Sequence, residues 1–212
     1  MLFNGISILK VGNFFLTNGL RNSIGKEIKV LAIGGRDEQY IKVLQYCIEY
    51  IVTSKPAIKV DQTIGYLSWI IKFVQSDDDI FELYEGDYKG TGFVAGVETA
   101  IKVVDDQETE CRRFGVASVF PNFSQMLVIS AGVYEGLPLQ AVRYPSPPHM
   151  CGWWITTDLY DGNIKSLITE HYYHVAFKRA DILKYLALPS GYRFNLDQNG
   201  EFDVWYDEAS AH

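Results

Sequence analysis

Three local pairings in this 212-residue chain have the residue types that catalysis needs. His149 and Cys151 could serve as base and thiolate nucleophile, because residues i and i+2 of a strand share a face. Asp158 and Asp161 could be a carboxylate pair for acid and base work. His171 and His174, in "EHYYH", have the i, i+3 spacing that aims two imidazoles at one metal ion, provided the segment is helical. Each pairing also has a plainer explanation. A thiol beside Trp153 and Trp154 suits core packing, and no third group is evident to orient His149. "DLYDG" suits a turn in which aspartates cap backbone amides and Gly162 takes a positive φ. The Tyr, Val and Phe content of "HYYHVAF" favours a strand, which would turn the two histidines to opposite faces. No catalytic residue, metal or cofactor is expected.

Longer motifs do not change this. "IGGRDE" is too short for a dinucleotide fingerprint, and the sequence holds no P-loop lysine, GxSxG elbow or HExxH helix. The competing function is a small hydrolase or metal-dependent enzyme using His149 and Cys151, or His171 and His174. A carbohydrate-binding module built on the tryptophans is a third reading, disfavoured by the absence of a secretion signal.

The elements that must position these residues are legible from periodicity. "EIKVLAI" reads as a strand. Beyond the glycines at 34 and 35, Tyr40, Ile41, Leu44, Cys47, Ile48 and Ile51 recur at helical spacing, with Asp37 and Glu38 in the first turn and Pro56 past the end. "IGYLSWIIKFV" and "IFELYE" read as strands around the acidic turn at 77–79. "FVAGVETAIKVVDDQETECRRFG" reads as a helix closing on Gly115. The second half offers the strands "QMLVIS", "LQAVRY", "GWWITT", "HYYHVAF", "YRFNL" and "FDVWY", with the short helix "ADILKYLAL". This pattern predicts an α+β fold, a mixed or antiparallel sheet with about three helices packed on it. The whole of 1–212 is expected to form one unit, or two closely packed halves, 1–115 and 116–212. Pro145, Pro147 and Pro148 should hold the chain extended into the strand of Trp153 and Trp154, which point to opposite faces.

Composition is that of a folded globular protein, 48% hydrophobic and 21% charged. The apolar N-terminus is broken by Asn4, Gly5, Lys10 and Gly12 and does not read as a signal peptide, and no window reaches the length of a membrane span. Three cysteines without a CxxC pair fit reduced thiols, so a cytoplasmic location is expected, with no membrane partner. The net charge of −7 is uneven: residues 1–60 carry 8 Lys/Arg against 4 Asp/Glu, 61–111 carry 3 against 12, and 112–212 carry 8 against 10. Such a field repels nucleic acid and attracts a basic protein. Asp77, Asp78, Asp79, Asp105, Asp106, Glu108 and Glu110 are the candidate partner-binding residues. A homodimer is left open.

"EGLPLQAVRYPSPPHMCGWWITTDLYDG", with "EHYYHVAFKRADILKYLALPSGYRF" after it, resembles bacterial immunity proteins that carry the domain numbered thirty-three in the polymorphic-toxin catalogue. The matching positions are Arg143 to Pro147, Gly152 to Trp154, Thr156 to Asp158, Tyr160 to Gly162, His171, His174 and Ala187 to Phe194; Arg143, Tyr144, Asp158, Tyr160 and Asp161 are among the motif residues. Cys151 departs from the pattern, which has a serine there. The similarity extends upstream to about residue 60. It implies a cytoplasmic antitoxin without catalytic activity that occludes a cognate secreted toxin.

Overall fold

The computed structural model describes residues 1–77 and 79–212. The chain divides into two compact units, Met1–Asp87 with Thr91–Lys102, and Tyr88–Gly90 with Val103–His212. Both are α+β with mixed sheets.

The first unit holds β1 (Leu2–Phe3), β2 (Ile6–Val11), β3 (Phe14–Asn18), α1 (Arg21–Ile24), β4 (Glu27–Leu31) and α2 (Asp37–Ser54). Then come β5 (Thr63–Tyr66), β6 (Trp69–Asp77), β7 (Ile80–Gly86) and β8 (Phe93–Ala95). The sheet order is β1-β2-β3-β4-β7-β6-β5, with β8 on β7, and β4 runs parallel to β7 while the other pairs are antiparallel. α2 forms because its apolar residues recur on one face: Tyr40, Val43, Leu44, Cys47, Ile48 and Ile51 are buried, with Ile41 only half-buried. It ends at Lys55 in the left-handed region, ahead of Pro56. The helix expected across "FVAGVETA" begins later: α3 runs Glu98–Arg113, and Phe93–Ala95 is strand. Its first amides, Thr99 and Ala100, donate to the Glu85 carboxylate at 2.8 and 2.7 Å. Burial raises the pKa of that carboxyl, opposed by these bonds.

The second unit holds β9 (Met126–Ile129), β10 (Leu139–Arg143), β11 (Met150–Thr156), β12 (Ile168–His171), α4 (Tyr172–Lys178), β13 (Tyr192–Leu196) and β14 (Phe202–Tyr206). A 3-10 segment, Ala180–Tyr185, stands where a short helix was expected. The sheet order is β12-β9-β11-β10-β13-β14, with β9 and β11 parallel.

The segment "HYYHVAF" is not a strand. Only His171 belongs to β12, and Tyr172 onward is helical, burying Tyr172, Val175 and Ala176. Those positions have i, i+3, i+4 spacing, so burial on one side outweighs the strand preference of Tyr, Val and Phe.

Candidate functional site

The motif-rich residues of the second unit divide between the two faces of its sheet. Strand alternation buries Leu139, Ala141, Arg143, Trp153 and Phe194 on one face. Trp153 is 0% exposed, packs on Phe194 and donates its indole N–H to the Leu186 carbonyl at 2.8 Å. Arg143 is buried beside it. Its guanidinium donates to the carbonyls of Cys151 (2.9 Å), Val119 (2.8 Å), Leu186 (3.2 Å) and Leu188 (2.6 Å). Desolvation lowers its pKa, and those carbonyls compensate the buried cation with their dipoles. The arginine therefore ties the β10–β11 hairpin to the segment 186–188 and serves the scaffold.

The extended "PSPP" loop closes on itself at its base, where the Tyr144 amide donates to the Gly152 carbonyl at 3.0 Å and Met150 N to Pro147 O at 2.9 Å. Gly152 sits at φ +85°, and a Cβ there would lie 2.3 Å from the Tyr144 carbonyl oxygen. Only glycine fits this close approach.

His149 is exposed in this loop whereas Cys151 is buried. Burial pushes the Cys151 thiol up, only partly offset by hydrogen bonding and the Arg143 charge, the reverse of what an activated nucleophile needs. Asp161 accepts from Asn163 N and Ser166 Oγ, both at 2.9 Å, and these bonds lower its pKa. Gly162 has φ +79° and Asp158 is exposed. Tyr160 N donates to Thr157 O at 3.0 Å, so "DLYDG" is a turn.

The helical start of α4 removes the reason for separating the two histidines. The rings of His171 and His174 lie 6.1 Å apart. Their Nδ1 atoms are engaged elsewhere, His171 with Ser124 O at 3.2 Å and His174 with Glu170 Oε2 at 2.7 Å. Tyr173 stacks on His171 at 5.2 Å. Among the described residues, no group of three His, Cys, Asp or Glu side chains is placed to hold a metal ion.

The opposite face of the sheet carries a continuous row. Strand register places Thr169, Val128, Trp154, Val142, Arg193 and Trp205 side by side across all six strands. Trp154, Val142, Arg193 and Trp205 are all partly exposed. Tyr144 meets Trp154 edge-on at 6.0 Å, and the Arg193 guanidinium lies 5.9 Å from the Trp205 ring while pairing with Asp207 at 2.8 Å. At one end of this face Gln140, Asn195, Asp158 and Asp197 line a hollow of about 120 Å³. At the other, Met126 and His171 border a wider hollow with His149. Of the row residues, Arg193 falls within the matching stretch Ala187 to Phe194, whereas Val142 and Trp205 lie outside the motif. The alternation within "YRFNL" and "FDVWY" carried the signal, but not which strands lie beside β11.

The acidic candidates do not fall in one unit. Asp77 and Asp79 lie in the first, at the β6–β7 turn, both exposed, and Asp79 pairs with Arg21 at 3.3 Å. Asp78 lies outside the described residues. Asp105, Asp106, Glu108 and Glu110 lie in the second unit, all partly buried. The Glu110 side chain is 13% exposed, with Arg113 at 3.5 Å and Lys184 at 3.9 Å.

Residues 106–207 match the family model of the Imm33-like domain. The match falls on the half of the chain whose motifs resemble such proteins, and it begins at Asp106, so the weaker similarity from about residue 60 lies outside it. No curated protein and no solved structure matches significantly.

Proposed function

We propose that this chain, whose residues 106–207 form an Imm33-like domain, is an immunity protein that binds a cognate secreted toxin in the cytoplasm and neutralises it by occlusion, without catalysis. The domain match carries this proposal. The geometry supports it in two ways. Arg143, Gly152 and Trp153 are used up in holding the fold, and the buried thiol of Cys151 is poorly suited to attack. The acidic balance of the chain, with a pI near 5.1, suits a basic partner.

In this reading the exposed Asp77 and Asp79, together with Asp105, Asp106 and Glu108, steer the encounter. Long-range charge raises association rates more than it slows dissociation. Glu110 contributes least, because its neighbours already neutralise it.

The experiment is protection. The product of the gene beside this chain's own, tested as the toxin, is expressed in a sensitive host with and without the full chain, and with a Cys151→Ala, His174→Ala double variant. Rescue of growth by both forms, together with co-purification, is expected. Failure of the unaltered chain to rescue would sink the immunity proposal. Loss of rescue by a folded double variant would favour catalysis. Reversing Asp77, Asp79 and Asp105 should slow association and flatten its salt dependence; unchanged kinetics would remove the steering role.

A further inference from the structure

The open face of the second unit's sheet joins large aromatics to a polar rim. Trp154 and Trp205 flank Val142 and Arg193 in one row, and Tyr144 extends it beside Trp154. Tryptophan, tyrosine and arginine are the types that carry most binding energy when buried at the centre of an interface. Here they remain partly exposed, whereas Ala141, Arg143, Trp153 and Phe194 on the other face of β10, β11 and β13 are buried. Partly solvated indoles on a β-surface gain by being covered, and their two side-chain torsions cost little entropy to hold.

Charge indicates what covers them. The cation on this face, Arg193, is paired with Asp207 at 2.8 Å. Asp158 and Asp197 line the hollow at one end of the face, and the exposed Asp203 lies directly across from Asn195, which lines it too. The Gln140 and Asn195 side chains add carbonyl acceptors there. At about 120 Å³ the hollow is below the range of a small-molecule site and suits the end of one side chain. Asp197 caps its own turn, accepting from Asn199 N and Glu201 N at 2.8 Å and from Asn199 Nδ2 at 3.1 Å, and so contributes its negative charge. A lysine or arginine from a basic partner pairs with Asp158 and the amides within that field, while its neighbours cover the tryptophans.

Resting on the immunity reading above, we propose that the toxin docks on this open face, centred on Trp154 and Trp205, and seats a basic side chain in the hollow between Asp158 and Asp197. The acidic segments of the preceding proposal then set how fast the toxin arrives, and this face sets how long it stays.

The test uses the full chain and, as probe, the toxin domain from the protection experiment in a catalytically dead form. Binding kinetics and thermal unfolding are measured for Trp154→Ala, Gln140→Arg and Asp158→Lys. Gln140 is exposed on the same face, so its variant keeps the test valid should the tryptophan variant fold poorly. Trp154→Ala and Gln140→Arg should each weaken binding at least about 30-fold, chiefly through faster dissociation, with melting temperature little changed. Asp158→Lys should weaken binding and reduce its salt dependence. Affinities within twofold of the unaltered chain for Trp154→Ala and Gln140→Arg would overturn the docking face and leave the immunity reading intact. No binding or protection by the unaltered chain would overturn both. If sedimentation shows a dimer that Trp154→Ala dissociates while toxin affinity is kept, the face belongs to a second copy, and the proposal also falls.

Discussion

The two faces of the six-stranded sheet are built from the same strands. On one, Trp153 is sealed and its N–H satisfied by the Leu186 carbonyl; on the other, its neighbour Trp154 stays partly exposed with Tyr144 against it. A two-residue side-chain period divides one short motif between stability and recognition. Similarity between chains in such a motif therefore reports on scaffold and surface at once, and only the facing of each residue tells them apart.

The sharpest way to break this contrast is to truncate the tryptophans in turn. Trp153→Ala should cost about 3–5 kcal/mol of stability in urea unfolding, because it empties a closed core site. Trp154→Ala should cost about 1 kcal/mol. Equal losses would mean that both faces are core.

Arg143 comes next. Arg143→Met would take this donor from the carbonyls of Cys151, Val119 and Leu188, while Leu186 keeps the Trp153 indole N–H, and a loss of about 3 kcal/mol is expected at the 1–3 kcal/mol typical of a stranded buried group. Arg143→Lys should recover less than half, since an ammonium cannot reproduce the planar fork. Full recovery by lysine would show that charge alone matters there.

Gly152→Ala tests the close approach between Gly152 and Tyr144 that anchors the loop. With a Cβ 2.3 Å from a backbone oxygen at φ +85°, a loss of about 1–3 kcal/mol is expected. The same substitution at Gly162, where nothing lies within 4 Å of the added carbon, should cost about 1 kcal/mol or less. Similar losses would assign both costs to φ.

The smallest effect is in pH. Burial raises the Cys151 pKa above the ordinary value of 9.0. Stability from keeping this thiol neutral is complete below the unfolded value and is lost as pH rises through the raised folded one. The melting temperature should therefore fall less steeply above pH 9.0 in Cys151→Ala than in the unaltered chain. Parallel curves would place the thiol in an open site.

Much of the scaffold was legible locally. The strands "LQAVRY", "GWWITT", "YRFNL" and "FDVWY" lie where alternation put them, and α2 follows its repeat, with Val43 rather than Ile41 on the buried side. The turn at Asp161 and Gly162 formed as its residue types demanded. Propensity misled at 172–178, where Tyr, Val and Phe suggested extension but Tyr172, Val175 and Ala176 needed one helical face to be buried together. Asp77 and Asp79 belong to one unit and Asp105 to Glu110 to the other, a division that summed charge along the chain does not reveal.

By itself the sequence determined the alternation that separates Trp153 from Trp154, the turns, the acidic balance and the resemblance carried by residues 143–194, because all of these depend on chain neighbours or on summed charge. Tertiary structure decided that Trp154, Val142, Arg193 and Trp205 form one row, and that Asp158 and Asp197 line one hollow. Those residues come from separate strands, and the hydrogen-bond register between strands sets which side chains stand together.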